Sequence, residues 1–498
     1  MKKILFILIS FTLLTLVGCS KDFLDTKPSE SIDGRTLLST IEGADFLITG
    51  TNALRFRSVL TANAPHYAFG ERSFDLMLDG LCEDFYELFA GGWYTDRGVW
   101  QEVHWKNDND APNSNMWNRS YEIINNVNQL IDAIDKDLIQ NGTQNEKDFW
   151  LAQALIYRAH YHHMLVQVYA RPVHSHPNDL GIPINIKAIN EPMARDEVIN
   201  VYTQIFKDLH KADTLLTGNP VVPRNKSFAS INVVHGLLAR AYSCLGTTEA
   251  WPKVEHHANL AKQGHDLMTK DQFRNGFNAI NSEWMWATIA PADELTAANI
   301  FFRIMTNGIG YTASWGYRNM VSAKVYEHAD SSDARFYGSG NAGGQQMVQN
   351  TLGEWQYNKF YNPLSASAHY CYMRSAEMIL LEAEAQIMQN NFTGARANLQ
   401  ILMDARMDGY DASSFADGAL MAELKMQRRM EFWGEGRRWG DLKRWGEGVD
   451  RNESGGEDVL PPYIAPDRVV LSPNDPFWVF LIPRGEMDSN PLMIQNHQ

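Results

Sequence analysis

Residues 427–446, QRRMEFWGEGRRWGDLKRWG, restrict this chain more than any other stretch. They crowd three tryptophans (Trp433, Trp439, Trp445), six cationic side chains and three carboxylates into twenty positions. Met426, Met430 and Trp433 recur at i, i+4 and i+7, which is one face of a helix. Gly434 and Gly436 then predict a sharp break, because glycine accepts backbone conformations that other residues resist. Trp439, Leu442 and Trp445, at i, i+3 and i+6, predict a second short helix. Indoles at this density belong inside, yet Arg428, Arg429, Arg437, Arg438, Glu431, Glu435 and Asp441 must go in with them. Buried charges are tolerable only when paired. The expectation is a structural keystone, an aromatic clamp inside a shell of ion pairs. An anion site on the arginine cluster is the rival reading, although guanidinium forks more commonly satisfy nearby carboxylates.

The start of the chain is equally informative. Lys2 and Lys3 precede an apolar run from Ile4 to Val17, closed by Gly18 and Cys19. That run is short for a permanent span and has the layout of a secretory signal. LVGC at 16–19 is similar to a bacterial lipobox, which makes residues 1–18 a lipoprotein signal peptide and Cys19 the lipidated first residue. Two or more acyl chains, at about 0.8 kcal/mol per buried methylene, would hold firmly. An ordinary cleaved signal with a chance cysteine is the alternative. Residues 19–35 are polar with few apolar groups and suit a flexible tether. No other apolar run approaches 18 residues. Cys82, Cys244 and Cys371 then remain, an odd number, so at least one thiol is free. Cys244, within YSCLG, is expected on a helix as a buried inert thiol. The formal charge of −15 becomes −17 once Lys2 and Lys3 are gone, which argues against nucleic acid as a partner.

At 498 residues the chain could hold two or three average domains or one large helical body. Helical periods favour the second, a mainly α fold whose parts 36–225 and 226–498 form one compact body. From Leu37 to Arg57 a stripe of Leu37, Ile41, Ala44 and Ile48 predicts a helix. Residues 117–135 and 149–170 predict two more, the latter closed by Arg171 and Pro172. Residues 196–216 follow, with Asp196 as N-cap. The pairs 228–246 with 254–268, and 370–390 with 393–408, read as antiparallel hairpins. Ala239, Ala241, Ala258, Ala383, Ala385 and Ala395 sit where such helices approach. That scaffold is similar to tetratricopeptide-like hairpins, though without a fixed period; generic helical hairpins are the alternative. By contrast, 66–118 and 271–369 lack a sustained period and are rich in Gly, Asn, Asp and aromatics. They are expected to be loop-rich insertions, where binding residues concentrate.

Residues 427–446 also resemble the C-terminal signature of the SusD/RagB family, surface glycan-binding lipoproteins of Bacteroidetes-type bacteria. The shared features are the Arg-Arg run, an aromatic, a Gly-Glu-Gly turn, Arg-Trp, Asp-Leu and Arg-Trp-Gly; Gln427 stands where many members have Glu. CEDFYELFAGGWY resembles the family's acidic pair, glycine loop and ligand-stacking aromatic, which fall here on Glu83, Asp84 and Trp93. The 149–170 helix is similar to the family's aromatic helix, with His160, His162 and His163 replacing some aromatics. SWGYRN (314–319), DARFYG (333–338), YMRSAEMILLEAEAQ (372–386) and FWVFLIPRGEMDSNP (477–491) continue the match in order. The resemblance implies a SusD-like fold on the outer face of the outer membrane. It further implies capture of an oligosaccharide and delivery to a SusC-type TonB-dependent transporter, with no catalytic residue and no cofactor. RagB-like members imply a peptide ligand as the alternative.

The residues allow that role. A sugar ring offers C–H groups on one face and hydroxyls around its edge, so indole or phenol platforms cover the face while polar side chains bind the edge. The two irregular regions supply both kinds, and the candidates are Trp93, Tyr94, Arg97, Trp100, Trp315 and Tyr317. Trp286, inside WMWATI, and Trp355 are assigned to packing. A glycoside hydrolase needs one protonated and one ionised carboxyl at fixed separation. Glu83 with Asp84, Glu382 with Glu384, and Glu431 with Glu435 are raw material only, and arginines beside the last pair would lower both pKa values. His160 and His163 share a helix face and HSHP (174–177) adds two imidazoles, but no HExxH or CxxC occurs, so no metal is expected. NDNDAPNSN (107–115) has Asn113 and Arg119 where a calcium loop starting at Asp108 needs Gly and Glu, and reads as a solvated loop.

Overall fold

Each long helix lies against the next one in sequence. The computed structural model describes residues 37–57, 68–87, 107–189, 191–289, 301–305, 319–328, 330–336, 347–349, 355–357, 359–360, 369–451 and 470–496. The first half carries α1 (Ile41–Leu54), α2 (Glu71–Gly80), β1 (Phe85–Glu87), α3 (Ala111–Asp135), α4 (Gln144–Tyr169), α5 (Val198–Leu216), α6 (Ile231–Leu245) and α7 (Trp251–Lys262). Then come α8 (Lys270–Arg274), β2 (Trp284–Thr288), α9 (Phe301–Met305), β3 (Asn319–Val321), α10 (Ala323–Tyr326), β4 (Met347–Gln349), β5 (Trp355–Tyr357) and β6 (Tyr370–Arg374). The last part holds α11 (Ser375–Met388), α12 (Phe392–Asp404), α13 (Leu420–Phe432), α14 (Arg438–Trp445), β7 (Val449–Asp450), β8 (Val470–Leu471) and α15 (Arg484–Ser489). The main contacts run α3–α4, α4–α5, α5–α6, α6–α7, α7–α11 and α11–α12, an array of helices packed in chain order.

Local chemistry explains the boundaries. At the start of α4 the Glu146 N–H donates to Thr143 Oγ1 at 3.3 Å, while the Thr143 N–H donates to the Glu146 carboxylate at 2.7 Å. This reciprocal cap satisfies two amides that a helix start leaves without partners. Along α1, Ala44 and Ile48 are fully buried, as their stripe requires. The alanines at 239, 241, 258, 383, 385 and 395 are fully buried too, and their short side chains let α6 approach α7 and α11 approach α12. One apolar core draws residues from Leu38 to Met493, and a smaller one joins α11, α12 and α13. Among the described residues no helix is long and apolar enough to cross a membrane.

Four local expectations need correction. Residues 71–80 form a helix inside the stretch read as irregular. Residues 111–115 are helical as well: Asp110 caps α3 by accepting from the Asn113 N–H, and Pro112 sits in its first turn. Glu197 rather than Asp196 stands at the N-cap of α5, and the Asp196 carboxylate instead accepts from the Ile184 N–H at 3.0 Å. Residues 370–374, read as the start of a helix, are the strand β6, antiparallel to β2 with Ala287 opposite Cys371 and Thr288 opposite Tyr370. That pairing buries both strands completely, a tertiary preference that overrides helical propensity. Trp286 on β2 is fully buried, as assigned.

Candidate ligand-binding site

The keystone folds as its composition requires. α13 ends at Phe432, and Gly434 and Gly436 follow with φ of 73° and 71°, a left-handed backbone that favours glycine. A Cβ on Gly436 would lie 2.3 Å from Asp75 Oδ1, so the close approach of α2 demands glycine as well. α14 then begins at Arg438 and closes on Gly446, again left-handed. The charges pair as expected. Arg428 forks onto Asp441 at 2.8 and 2.9 Å. Arg444 joins Asp441 at 2.9 Å and also holds Glu384, whose carboxylate accepts from Trp445 Nε1 at 2.8 Å. Glu431 accepts from Arg374 Nη1 at 2.6 Å and Arg406 Nη2 at 2.9 Å. Both arginines also reach Glu283, at 2.7 and 2.9 Å. Arg374 binds Glu435 at 2.6 and 3.0 Å, and Lys359 joins it there. Carboxylates therefore occupy the arginine cluster, and the anion-site reading is not needed.

This lattice grips two strands from which the aromatic loops leave. Asp84, immediately before β1, accepts three hydrogen bonds from Arg429, the shortest 2.6 Å, and one from Ser322 Oγ at 3.2 Å. Its neighbour Glu83 accepts from Arg438 Nε at 2.9 Å. Trp433 Nε1 donates to the Asp84 carbonyl at 2.8 Å, and its ring meets Phe85 at 5.4 Å between centroids. Burial raises the Asp84 pKa, but Arg429 and Arg438 outweigh it and hold the carboxyl below its ordinary value. β1 pairs antiparallel with β3, in the register Phe85 with Val321, Tyr86 with Met320 and Glu87 with Asn319. β3 continues to β5 and β5 to β4, giving a four-stranded sheet in the order β1-β3-β5-β4. The segment 88–106 thus begins, and the segment 306–318 ends, at directly opposed residues. Trp93, Tyr94, Arg97, Trp100, Trp315 and Tyr317 fall in those two segments, outside the described residues, as does Cys19. The Trp355 side chain is likewise outside them.

Sequence reading singled out Glu83 and Asp84 but missed Ser322 and the strand register, for which no local signal exists. It also missed Asp79. Burial pushes that carboxyl up to about 8, partly countered by the Gly436 N–H donating to it at 2.9 Å. At 4% exposure it is walled in by the keystone and out of reach of a substrate. Among the pairs weighed for hydrolysis, burial opposes ionisation of Glu435, yet Arg374 and Lys359 bring it down to about 2. Glu431 is also held low, by Arg406, Arg374 and Arg335 against burial. Neither can donate a proton at neutral pH. His160 is buried on Glu71 at 2.9 Å, and His163 lies 3.7 Å from the buried Cys244 thiol. Cys82, Cys244 and Cys371 are all buried and free. A cleft of about 1000 Å³ opens between residues 171–180 and 473–479, with His174, Asp179 and Asn474 in its walls. Trp478 lines it but is buried with Nε1 donating to the Ser472 carbonyl, so among the described residues the cleft offers polar edges without an indole face.

Comparison with known proteins gives this arrangement its relatives. Residues 59–242 match a family model described as starch-binding and associating with the outer membrane, and residues 274–498 match the model of the SusD family. Among solved structures, a SusD-like carbohydrate binding protein of Bacteroides vulgatus is 21% identical, with a TM-score of 0.78 over 91% of this chain and 97% of its own. A SusD superfamily protein of Bacteroides thetaiotaomicron is 19% identical, with a TM-score of 0.76 over 92% and 100%. One from Bacteroides fragilis is 17% identical, with a TM-score of 0.74 over 92% and 99%. No curated protein sequence matches.

Proposed function

The chain belongs to the SusD family, and we propose that it captures oligosaccharides at the cell surface and delivers them to a SusC-type TonB-dependent transporter. In this reading Cys19 carries the lipid anchor in the outer membrane, facing the exterior. Trp93 and Trp315 cover sugar faces, with Tyr94, Trp100 and Tyr317 as further platforms and Arg97 at the hydroxyl edge. The observation that carries the reading is the opposition of Glu87 and Asn319 in the β1–β3 ladder. Trp93 is six residues beyond Glu87 and Trp315 four before Asn319. At about 3.5 Å per residue, chain length alone keeps the Cα atoms of Trp93 and Trp315 within about 21 and 14 Å of adjoining points. In this reading one ligand would contact both. Binding needs no chemical step, and selectivity would come from the spacing of platforms and the hydrogen bonds around them.

The test is a calorimetric screen of protein lacking residues 1–19 against a panel of neutral glycans and, in parallel, mixed tryptic peptides. Saturable glycan binding that weakens in Trp93→Ala supports the reading. Peptide binding alone would transfer the same site to the RagB-like alternative. Affinity unchanged by Trp93→Ala would remove that residue from the site.

A further inference from the structure

Between the keystone and the helices α2, α4 and α6 lies a polar cavity of about 100 Å³, with Glu71, Asp75, His160, Arg240, Arg437 and Trp439 in its lining. Roughly 10–15 Å³ of such space holds one water, so there is room for a small solute together with water. Its donors outnumber their acceptors. Trp439 is 1% exposed, and its indole N–H has no acceptor among the described residues. Arg428, also in the lining, is 3% exposed and forks Nε and Nη2 onto Asp441, while its Nη1 is likewise unmatched. Arg437 is the exception to the carboxylate pairing of the other keystone arginines. Its Nη2 donates to the Tyr372 carbonyl at 2.8 Å. The one carboxylate within 4.0 Å of it among the described residues is Glu377, at 3.9 Å, and Arg240 already forks onto that group at 2.8 and 2.5 Å.

The charges around the cavity leave one cation over. Glu71 is taken by Arg55 at 2.7 Å and Asp75 by Arg72 at 2.9 Å. Asp441 is taken by Arg428, Glu384 by Arg444 and Glu377 by Arg240. Burial keeps His160 and His163 neutral, the latter down to about 3. Asp79, which accepts from the Gly436 N–H, has no cation of its own, and burial pushes it up to about 8, so it is neutral at pH 7. The Arg437 guanidinium is therefore the charge without a counter-charge. A buried cation in that position is costly, and charge-assisted hydrogen bonds to an anion offset the cost. A surplus of one suits a monovalent anion, whereas a dianion such as sulfate would overshoot it. We propose that Arg437, with Arg428 and Trp439, holds one small monovalent anion in this cavity, chloride or a carboxylate of acetate size. The anion would tie the break between α13 and α14 to the helices behind it, a role independent of the glycan site.

The rival is water alone among these donors, and anion exchange separates the two. The mature chain is melted at pH 7 and constant ionic strength while chloride replaces a bulky organic sulfonate stepwise, with acetate in a parallel series. The expected result is a midpoint that rises along a saturating one-site curve, by about 1–3 °C, with the larger rise identifying the preferred anion. Arg437→Gln should remove the rise. Trp439→Phe keeps the packing but loses the N–H, and should raise the half-saturating concentration about tenfold. Arg484→Gln, at an exposed arginine, should respond as the parent does. Crystals exchanged into bromide should show one anomalous scatterer beside Arg437, and this measurement with Trp439→Phe decides the matter if Arg437→Gln does not fold. Equal midpoints in chloride, acetate and sulfonate overturn the proposal. So does a rise that both variants keep, or bromide that occupies no position in the cavity.

Discussion

Arg429 reaches across 345 positions of sequence to hold Asp84, with hydrogen bonds of 2.6, 3.0 and 3.1 Å. Both side chains are buried, and Asp84 stands at the root of β1. Removing one partner of a buried pair costs up to about 3–5 kcal/mol, and here Arg438, 3.5 Å from Asp84, keeps part of the compensation. Arg429→Met should therefore lower unfolding free energy by that order in urea denaturation. Adding Asp84→Asn should restore part of it, because the stranded carboxylate is gone. If the pair also fixes the loop bases, glycan affinity falls in the single variant that still folds. A double variant no more stable than Arg429→Met alone would mean that the pair is not the source of the loss.

Gly436 is the second lever on the same region. Its φ of 71° is strained for any L side chain, and a Cβ there would lie 2.3 Å from Asp75 Oδ1. The backbone strain costs about 1–2 kcal/mol and the overpacking about 1–3 kcal/mol more. Gly436→Ala should accordingly lower the melting midpoint clearly. Gly218, with φ of 71° but open space around its Cβ, should show only the backbone part when changed to Ala. Equal losses at both glycines would mean that the Asp75 contact yields freely.

The keystone was legible because its signals are local. Period, glycine placement and the requirement that buried charges pair all lie within residues 426–446, and they gave two helices, the break and the pairing. The partners were not legible. Nothing near Glu431 names Arg374 or Arg406, which reach it from 57 and 25 positions away. The strand β6 was hidden for a related reason: YCYMRSAEMILL holds no Gly, Pro or Asn that would mark a boundary, and only pairing with WMWAT distinguishes its first five residues. At 107–115 the abundance of Asn and Asp suggested a loop, but Asp110 followed by Pro112 was a helix start. Composition outweighed position there. The candidate platforms were legible as a residue type in a setting, while the opposition of Glu87 and Asn319, the residues that flank their two segments, came only from the β1–β3 register.

His162 sits in α4 with no exposed surface, and neither ring nitrogen has a hydrogen-bond partner among the described residues. Burial, with a smaller push from Arg158, takes its pKa down to about 3. The folded chain therefore binds fewer protons than the unfolded chain between pH of about 6.5 and 3. Its contribution is complete above that window and is lost on acidification, at up to about 1.4 kcal/mol per pH unit for this one group. His162→Phe keeps the ring and removes both unsatisfied nitrogens. It should raise stability at pH 7 by about 1–3 kcal/mol and flatten the fall between pH 6 and pH 4. Melting midpoints across that range check both effects. A variant less stable at neutral pH would reveal a partner for the imidazole.

The proposed platforms make the most demanding forecast, because it concerns a pair rather than a residue. An aromatic that anchors a ligand loses about 2 kcal/mol or more on truncation, close to thirtyfold in Kd. Trp93→Ala and Trp315→Ala should each show a loss of that order with the melting midpoint unchanged, since neither would carry the core. Additivity discriminates further. Two indoles on one ligand are coupled through it, so the double variant should depart from the sum of the singles by about 0.5–3 kcal/mol. Two indoles serving separate ligands would add independently, and calorimetry would then return two sites per chain. One site per chain with a loss in only one of the two single variants would leave only that indole in contact with sugar. In that case the Glu87–Asn319 pairing would fix where the loops start without bringing their indoles to a common ligand.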